Sequence, residues 1–94
     1  MVVNIRFVGS LRSFASRDKI VLDFATSVSL KDVVKTIVKE LPALRSVFSD
    51  LRSRGSKANM LVLVNGKEIS ILNGWDTTIG DGDEVVFVPV LHGG

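Results

Sequence analysis

The residues best placed to do chemistry stand at the end of the chain, Leu91-His92-Gly93-Gly94. Two glycines at a free C-terminus have no turn to make and no helix to cap. Glycine lacks Cβ, so the segment is thin enough to enter a narrow channel in another protein. Fully extended, four residues reach on the order of 13–14 Å. The pair follows the last apolar run directly, which puts the terminal carboxylate at the tip of a short rod. A frayed end also reads as Gly-Gly; the position behind a core strand is what gives this pair weight.

Other side chains offer less. His92 is the only histidine, and ten serines could each supply a hydroxyl. One histidine on a flexible tail cannot hold the geometry a nucleophile–base pair needs, so a recognition role is expected for it. There is no cysteine, which excludes disulfides, thiolate zinc sites and a cysteine nucleophile. No catalytic residue and no metal ligand is expected. Gly80-Asp81-Gly82 starts like a dinucleotide fingerprint, yet Val85 stands at the third glycine position and the run precedes a strand. Asp76, Asp81, Asp83 and Glu84 do not match the spacing of a calcium loop and read as solvated turn acids. Arg45, Arg52, Arg54 and Lys57 form a basic stretch around Asp50, with Phe48 its one aromatic and no RNA-binding motif. A solvated surface explains it better than nucleic acid.

The elements that must position the tail follow from periodicity. Val3, Ile5 and Phe7 alternate with Asn4 and Arg6, a half-buried strand over Val2 to Val8 that Gly9-Ser10 ends. After a polar loop, Ile20, Leu22 and Phe24 repeat the pattern and predict an antiparallel hairpin. The period then becomes helical: Leu30, Val33, Val34, Ile37, Val38 and Leu41 make one apolar stripe. Ser29 is placed as its N-cap, Asp32 suits the first turn, and Pro42 stops it. Leu44, Val47, Phe48 and Leu51 suggest a shorter helix, with an exposed loop over Arg52 to Lys57. Leu61 to Val64 and Lys67 to Leu72 read as strands joined by Asn65-Gly66, the strongest short hairpin signal. Asn73-Gly74 marks a further turn, and Gly80 to Asp83 turns into a last strand, Glu84 to Val90.

That last strand does not alternate. Val85 and Phe87 are expected to face the helix. Val86, Val88 and Val90 then face outward, to be covered either by a partner or by the short second helix or a loop. Pro89 cannot donate to a ladder, so pairing should loosen there. The order β-β-α-(short α)-β-β-β predicts an α+β architecture: a mixed sheet of about five strands with one principal helix across one face.

Composition agrees with one small domain. The chain has 94 residues, 46% hydrophobic and 23% charged, with a net charge of +2. A chain of this size buries about 60–65% of its unfolded surface, enough for one core. No apolar run approaches the roughly 18–20 residues of a membrane span, and the first residues lack the features of a signal peptide. A cytoplasmic protein without a membrane partner is expected.

The element order, the stretch Asp81-Gly82-Asp83-Glu84-Val85 and the ending Gly93-Gly94 resemble the ubiquitin-like β-grasp sulfur carriers over nearly the whole chain. That group includes the molybdopterin synthase small subunit, the thiamin-pathway sulfur carrier and the ubiquitin-related modifier. The Asp-Gly-Asp-Glu-Val segment with Pro89 is similar to the molybdopterin synthase subunit. Leu91-His92-Gly93-Gly94 is closer to the ubiquitin-related modifier, while Val88-Pro89 and His92 depart from the other's pattern.

The resemblance implies a β-grasp domain over residues 1–91 and a flexible tail over 92–94, and a carrier or modifier that is not itself an enzyme. Gly94, preceded by Gly93, would be the activated group. Its carboxylate is ionised at neutral pH, with a pKa of roughly 3.3–3.7, and is a poor electrophile. An E1-like enzyme would use ATP to adenylate it; this chain would bind no cofactor. A sulfurtransferase could then supply sulfur for a thiocarboxylate, used for instance in tRNA thiolation, or a target lysine could capture the carbonyl. Leu91, His92, Val90, Val88, Val86 and Arg12 are the implied partner-binding residues. The alternative is the molybdopterin synthase small subunit, delivering sulfur to its large subunit's pterin precursor in molybdenum cofactor biosynthesis. An alternative of another class is a β-grasp nucleotide- or RNA-binding module that ends in glycine.

Overall fold

The computed structural model describes residues 1–54 and 60–90, with the side chains of 50–54 excepted. A five-stranded mixed sheet runs β2-β1-β7-β4-β5. Its strands are β1 (Val2–Phe7), β2 (Lys19–Asp23), β4 (Met60–Val64), β5 (Lys67–Glu68) and β7 (Glu84–Pro89). β2 lies antiparallel to β1, β1 parallel to β7, and β7 antiparallel to β4. The last strand of the chain is thus the central strand of the sheet. A second pair, β3 (Val28–Ser29) with β6 (Thr78–Ile79), braces the start of the main helix. The architecture is the α+β, ubiquitin-like β-grasp expected from the sequence.

The principal helix, α2 (Leu30–Glu40), starts where its cap predicts. Ser29 Oγ accepts from the Asp32 N–H at 3.2 Å, and Asp32 sits in the first turn. The apolar stripe holds: Leu30, Val33, Val34 and Ile37 are buried against the sheet. Pro42 opens a short 3₁₀ turn, Pro42–Leu44, that leads into α3 (Arg45–Arg54). The core gathers Val3, Ile5 and Phe7 of β1, Val85 and Phe87 of β7, and the buried residues of α2. The Phe87 ring stacks on Phe7 at 6.2 Å and meets Phe48 of α3 edge-on at 4.8 Å. Buried aromatic pairs of this kind add about 0.5–1.5 kcal/mol beyond their area.

Three expectations change. The loop after Gly9-Ser10 contains a helix, α1 (Leu11–Ala15), whose Leu11 and Ala15 are buried. Five residues with two apolar anchors give too little period to read from sequence. Lys67 to Leu72 is not one strand: β5 ends at Glu68, and Ile69–Ile71 form a 3₁₀ turn. The Glu68 carboxylate accepts from the Ser70 N–H at 2.8 Å, a local cap that competes with the ladder. Arg52 to Arg54 belong to α3 and not to a loop; the rest of that segment, with Lys57, lies outside the described residues. Asn65-Gly66 forms the predicted tight turn, with φ of 51° and 83°.

The amine of Met1 donates to Asp23 Oδ1 at 2.9 Å, which holds it above its ordinary value of 8.0. Among the described residues no helix is long and apolar enough to cross a membrane.

Candidate functional site

The candidate site is built on β7, which is central in the sheet and whose chain continues into residues 91–94. Val85 and Phe87 are fully buried, as their parity requires. Val86, Val88 and Val90 are half-buried. In the ladder, Val86 faces Leu63 and Val88 faces Leu61, both on β4. Leu61 is exposed and Leu63 half-buried. These four side chains share the outer face of the sheet and form an apolar patch beside the exit of β7. The short helix does not cover it: Phe48 of α3 packs on Phe87, on the core face.

The end of β7 is bounded by the β1–α1 connection. The Val8 N–H donates to the Phe87 carbonyl at 3.1 Å, extending the parallel ladder by one step. Gly9 then reverses the chain at φ +63°, a conformation that L side chains rarely adopt, and lies against the Pro89 ring. The turn launches α1, whose buried Leu11 and Ala15 fix its roll and leave Arg12 exposed. Arg12, Arg6, Val8, Gly9 and Asp18 line an open pocket of about 280 Å³. Arg6 stands opposite Val86 across the β1–β7 ladder. The pocket and the apolar patch therefore meet at the base of the tail.

Of the residues singled out from sequence, Val86 and Val88 lie on the patch, Arg12 lines the pocket, and Val90 is half-buried just past the end of β7. Leu91, His92, Gly93 and Gly94 lie outside the described residues. Arg6, Val8, Leu61 and Leu63 were missed. The run Leu61 to Val64 is apolar on both faces, as Val85 to Val90 is, and two such strands could have been paired. Arg6 has no such signal, since its neighbour Val86 follows only from the parallel β1–β7 register.

The acids of the other end are occupied. Asp83 Oδ2 accepts from the Gly80 N–H at 2.7 Å and Oδ1 from Asn65 Nδ2 at 3.0 Å. Asp81 Oδ1 accepts from the Val2 N–H at 2.7 Å. Among the described residues no group of three acids or histidines could hold a metal ion. Arg45 is exposed at the start of α3.

The comparisons narrow the family. A family model described as Urm1 (Ubiquitin related modifier) matches residues 2–94. The chain is similar to the solution structure of Urm1 from Trypanosoma brucei, with 26% identity and a TM-score of 0.78, covering 99% of this chain and 95% of that one. It is similar to small archaeal modifier protein 1 from Methanosarcina acetivorans, with 25% identity and a TM-score of 0.79, covering 99% and 96%. The match to the Amycolatopsis orientalis BexX/CysO complex, at 15% identity, TM-score 0.69 and coverage of 98% and 99%, is one of fold. No curated protein matches the sequence. With almost the whole chain inside the family model, this protein belongs to the ubiquitin-related modifier family, among the small ubiquitin-like β-grasp carriers and modifiers.

Proposed function

We propose that the chain is a protein modifier and sulfur carrier whose Gly94 carboxylate is activated by a partner resembling ubiquitin-activating enzymes. The carboxylate oxygen attacks the α-phosphate of ATP bound to that partner and releases pyrophosphate. The terminal sulfur of a sulfurtransferase persulfide displaces AMP to give an acyl disulfide, and a second thiol of that partner attacks the enzyme-side sulfur, forming a disulfide there and releasing the thiocarboxylate. Alternatively, a target lysine amine displaces AMP and forms an isopeptide bond. The chain supplies the carboxyl group and the docking surface; ATP and catalysis belong to the partner, in the cytoplasm.

The observation that carries this reading is the position of β7. A central strand is the stiffest member of a sheet, and here it points the chain toward residues 91–94 from between an apolar patch and two arginines. A partner seated on Val86, Val88, Leu61 and Leu63 would receive the tail in a fixed direction. Residues 92–94 add a slim spacer: two glycines without Cβ, preceded by His92 as a recognition group.

Family membership and the ending Leu91-His92-Gly93-Gly94 favour this over the small subunit of molybdopterin synthase. The test is intact-protein mass spectrometry after incubation with ATP, the activating enzyme and a sulfur donor. Exchange of one oxygen for sulfur adds about 16 Da. Lysine-linked adducts carrying the Gly94 remnant would assign the modifier branch. Absence of adenylate, thiocarboxylate and adduct together would reject the reading.

A further inference from the structure

Of the sheet's two edges, β5 is two residues long, and β2 is five. The pairing of β2 with β1 decides which of its backbone groups are left over. In an antiparallel ladder, opposed residues alternate between exchanging both hydrogen bonds and exchanging none. The Phe24 N–H donates to the Met1 carbonyl, and the Phe7 N–H to the Asp18 carbonyl, each at 2.8 Å. Between these ends the register runs from Val2↔Asp23 to Arg6↔Lys19. The bonded pairs are therefore Val3–Leu22 and Ile5–Ile20. Lys19, Val21 and Asp23 aim their N–H and C=O groups away from β1, at the free edge. Their side chains are exposed as well, Val21 at 55%.

Those three residues read cation, apolar, anion. A second β2 laid antiparallel with Val21 against Val21 brings Lys19 opposite Asp23 on both sides of the centre. Each of the three facing pairs then exchanges two backbone hydrogen bonds. Moving the register by two residues sets Lys19 or Asp23 against Val21 and loses both charge pairs. A further observation favours the same occupant. Lys19 already faces Arg6 across the β1–β2 ladder, and opposed like charges on a sheet are destabilising. Among the described residues the salt bridge found is Met1 amine to Asp23 Oδ1. That leaves Oδ2 of Asp23 for a lysine of a second molecule.

We infer that β2 is a self-association edge: two copies pair antiparallel about a two-fold axis at Val21 and join their sheets into one. The order across the junction is β7-β1-β2, then β2-β1-β7 of the second copy. The two β7 strands lie five strand spacings apart, about 24 Å, and run in opposite directions. The contact uses neither β7 nor the apolar patch beside it, so this association is independent of the chemistry at Gly94. The contact is one strand wide, well below the ~1,200 Å² of a standard stable interface. It is a weak dimer, populated at high protein concentration.

The full chain is titrated from micromolar to millimolar concentration by sedimentation velocity and by amide NMR. The expected result is a concentration-dependent dimer with an alternating signature. Amides of Lys19, Val21 and Asp23 shift and gain exchange protection, while those of Ile20 and Leu22, bonded to β1, do not change. Lys19→Glu places like charges at both outer pairs and weakens association by about tenfold. Lys19→Glu combined with Asp23→Lys restores it, with an unchanged amide fingerprint elsewhere showing that the fold is kept. A chain that stays monomeric overturns the inference. So do shifts centred on Leu61 and Val88, a double swap that fails to restore, or protection of the edge amides only when another protein supplies the strand.

Discussion

β7 begins and ends in opposite chemistry. At its start the polar groups saturate one another. Besides the contacts of Asp83 and Asp81, the Glu84 N–H donates to Asn65 Oδ1 at 2.9 Å and the Asn65 N–H to the Glu84 carbonyl at 2.8 Å. The Gly82 N–H reaches the Val2 carbonyl at 2.7 Å, and the Asn4 N–H reaches the Asp83 carbonyl at 2.9 Å. One turn thus ties β1, the β4–β5 hairpin and β7 together. At the far end, Pro89 has no N–H to give, the outward valines remain half-buried, and Arg6 and Arg12 line an open pocket. The charged residues that look most like a site are structural. The end proposed to meet a partner is marked instead by apolar and cationic groups that the fold does not use.

The sharpest way to break this comparison is to remove Gly94. We expect adenylation to be abolished, because the reacting carboxyl then sits one residue short, while the melting temperature does not move. A large fall in melting temperature would mean that the tail belongs to the core. The converse is Asp83→Ala. It removes the acceptor of two hydrogen bonds and orphans the Gly80 N–H, and hydrogen bonds to a charged group contribute about 1.5–3 kcal/mol each. With part of that recovered from water, a loss of about 2 kcal/mol is expected, which lowers Tm by roughly 8–16 °C in a domain of this size. Activation below the transition should be unaffected. Calorimetry and an ATP–pyrophosphate exchange assay read the two quantities separately.

Val86→Asp comes next. The side chain is half-buried on the outer face, opposite Leu63, so the fold should lose no more than the ~1 kcal/mol span of strand propensities. A carboxylate in the middle of an apolar docking surface leaves a charge unpaired there. Truncating an interface hot spot costs at least about 2 kcal/mol, so KM for the activating enzyme should rise by about 30-fold. If KM held and stability fell instead, the patch would be structural.

Part of this contrast could be read from the chain alone. Helix α2 announces itself through an eleven-residue period with a cap at Ser29 and a stop at Pro42. Strands β1, β2, β4 and β7 follow from alternation or from continuous apolar runs, and Asn65-Gly66 from the φ > 0 demand of its turn. Short elements did not show, because α1 and the Ile69–Ile71 turn are each fixed by one or two buried side chains and a local hydrogen bond. The proposed docking surface is half legible. Val86 and Val88 stand out in a strand without alternation, but joining them to Leu61, Leu63 and Arg6 needs the register. The parallel β1–β7 pairing spans nearly the whole chain and leaves no local signature.

The smallest effect belongs to Arg12, and it tests where the docking surface stops. Arg12 is exposed on a five-residue helix, anchored through Leu11 and Ala15, so Arg12→Ala should leave stability unchanged. At the rim of an interface a charge acts mainly on encounter, through long-range steering. KM should therefore rise only about two- to threefold at low ionic strength, within the 0.2–1 kcal/mol of an exposed pair. The difference should fade as salt shortens the screening length from about 10 Å at 0.1 M to about 3 Å at 1 M. A larger loss that persists in high salt would mean that the guanidinium is desolvated against the partner. The docking surface would then reach from the sheet face onto α1, and the open end of β7 would be a clamp around the tail and not a flat patch beside it.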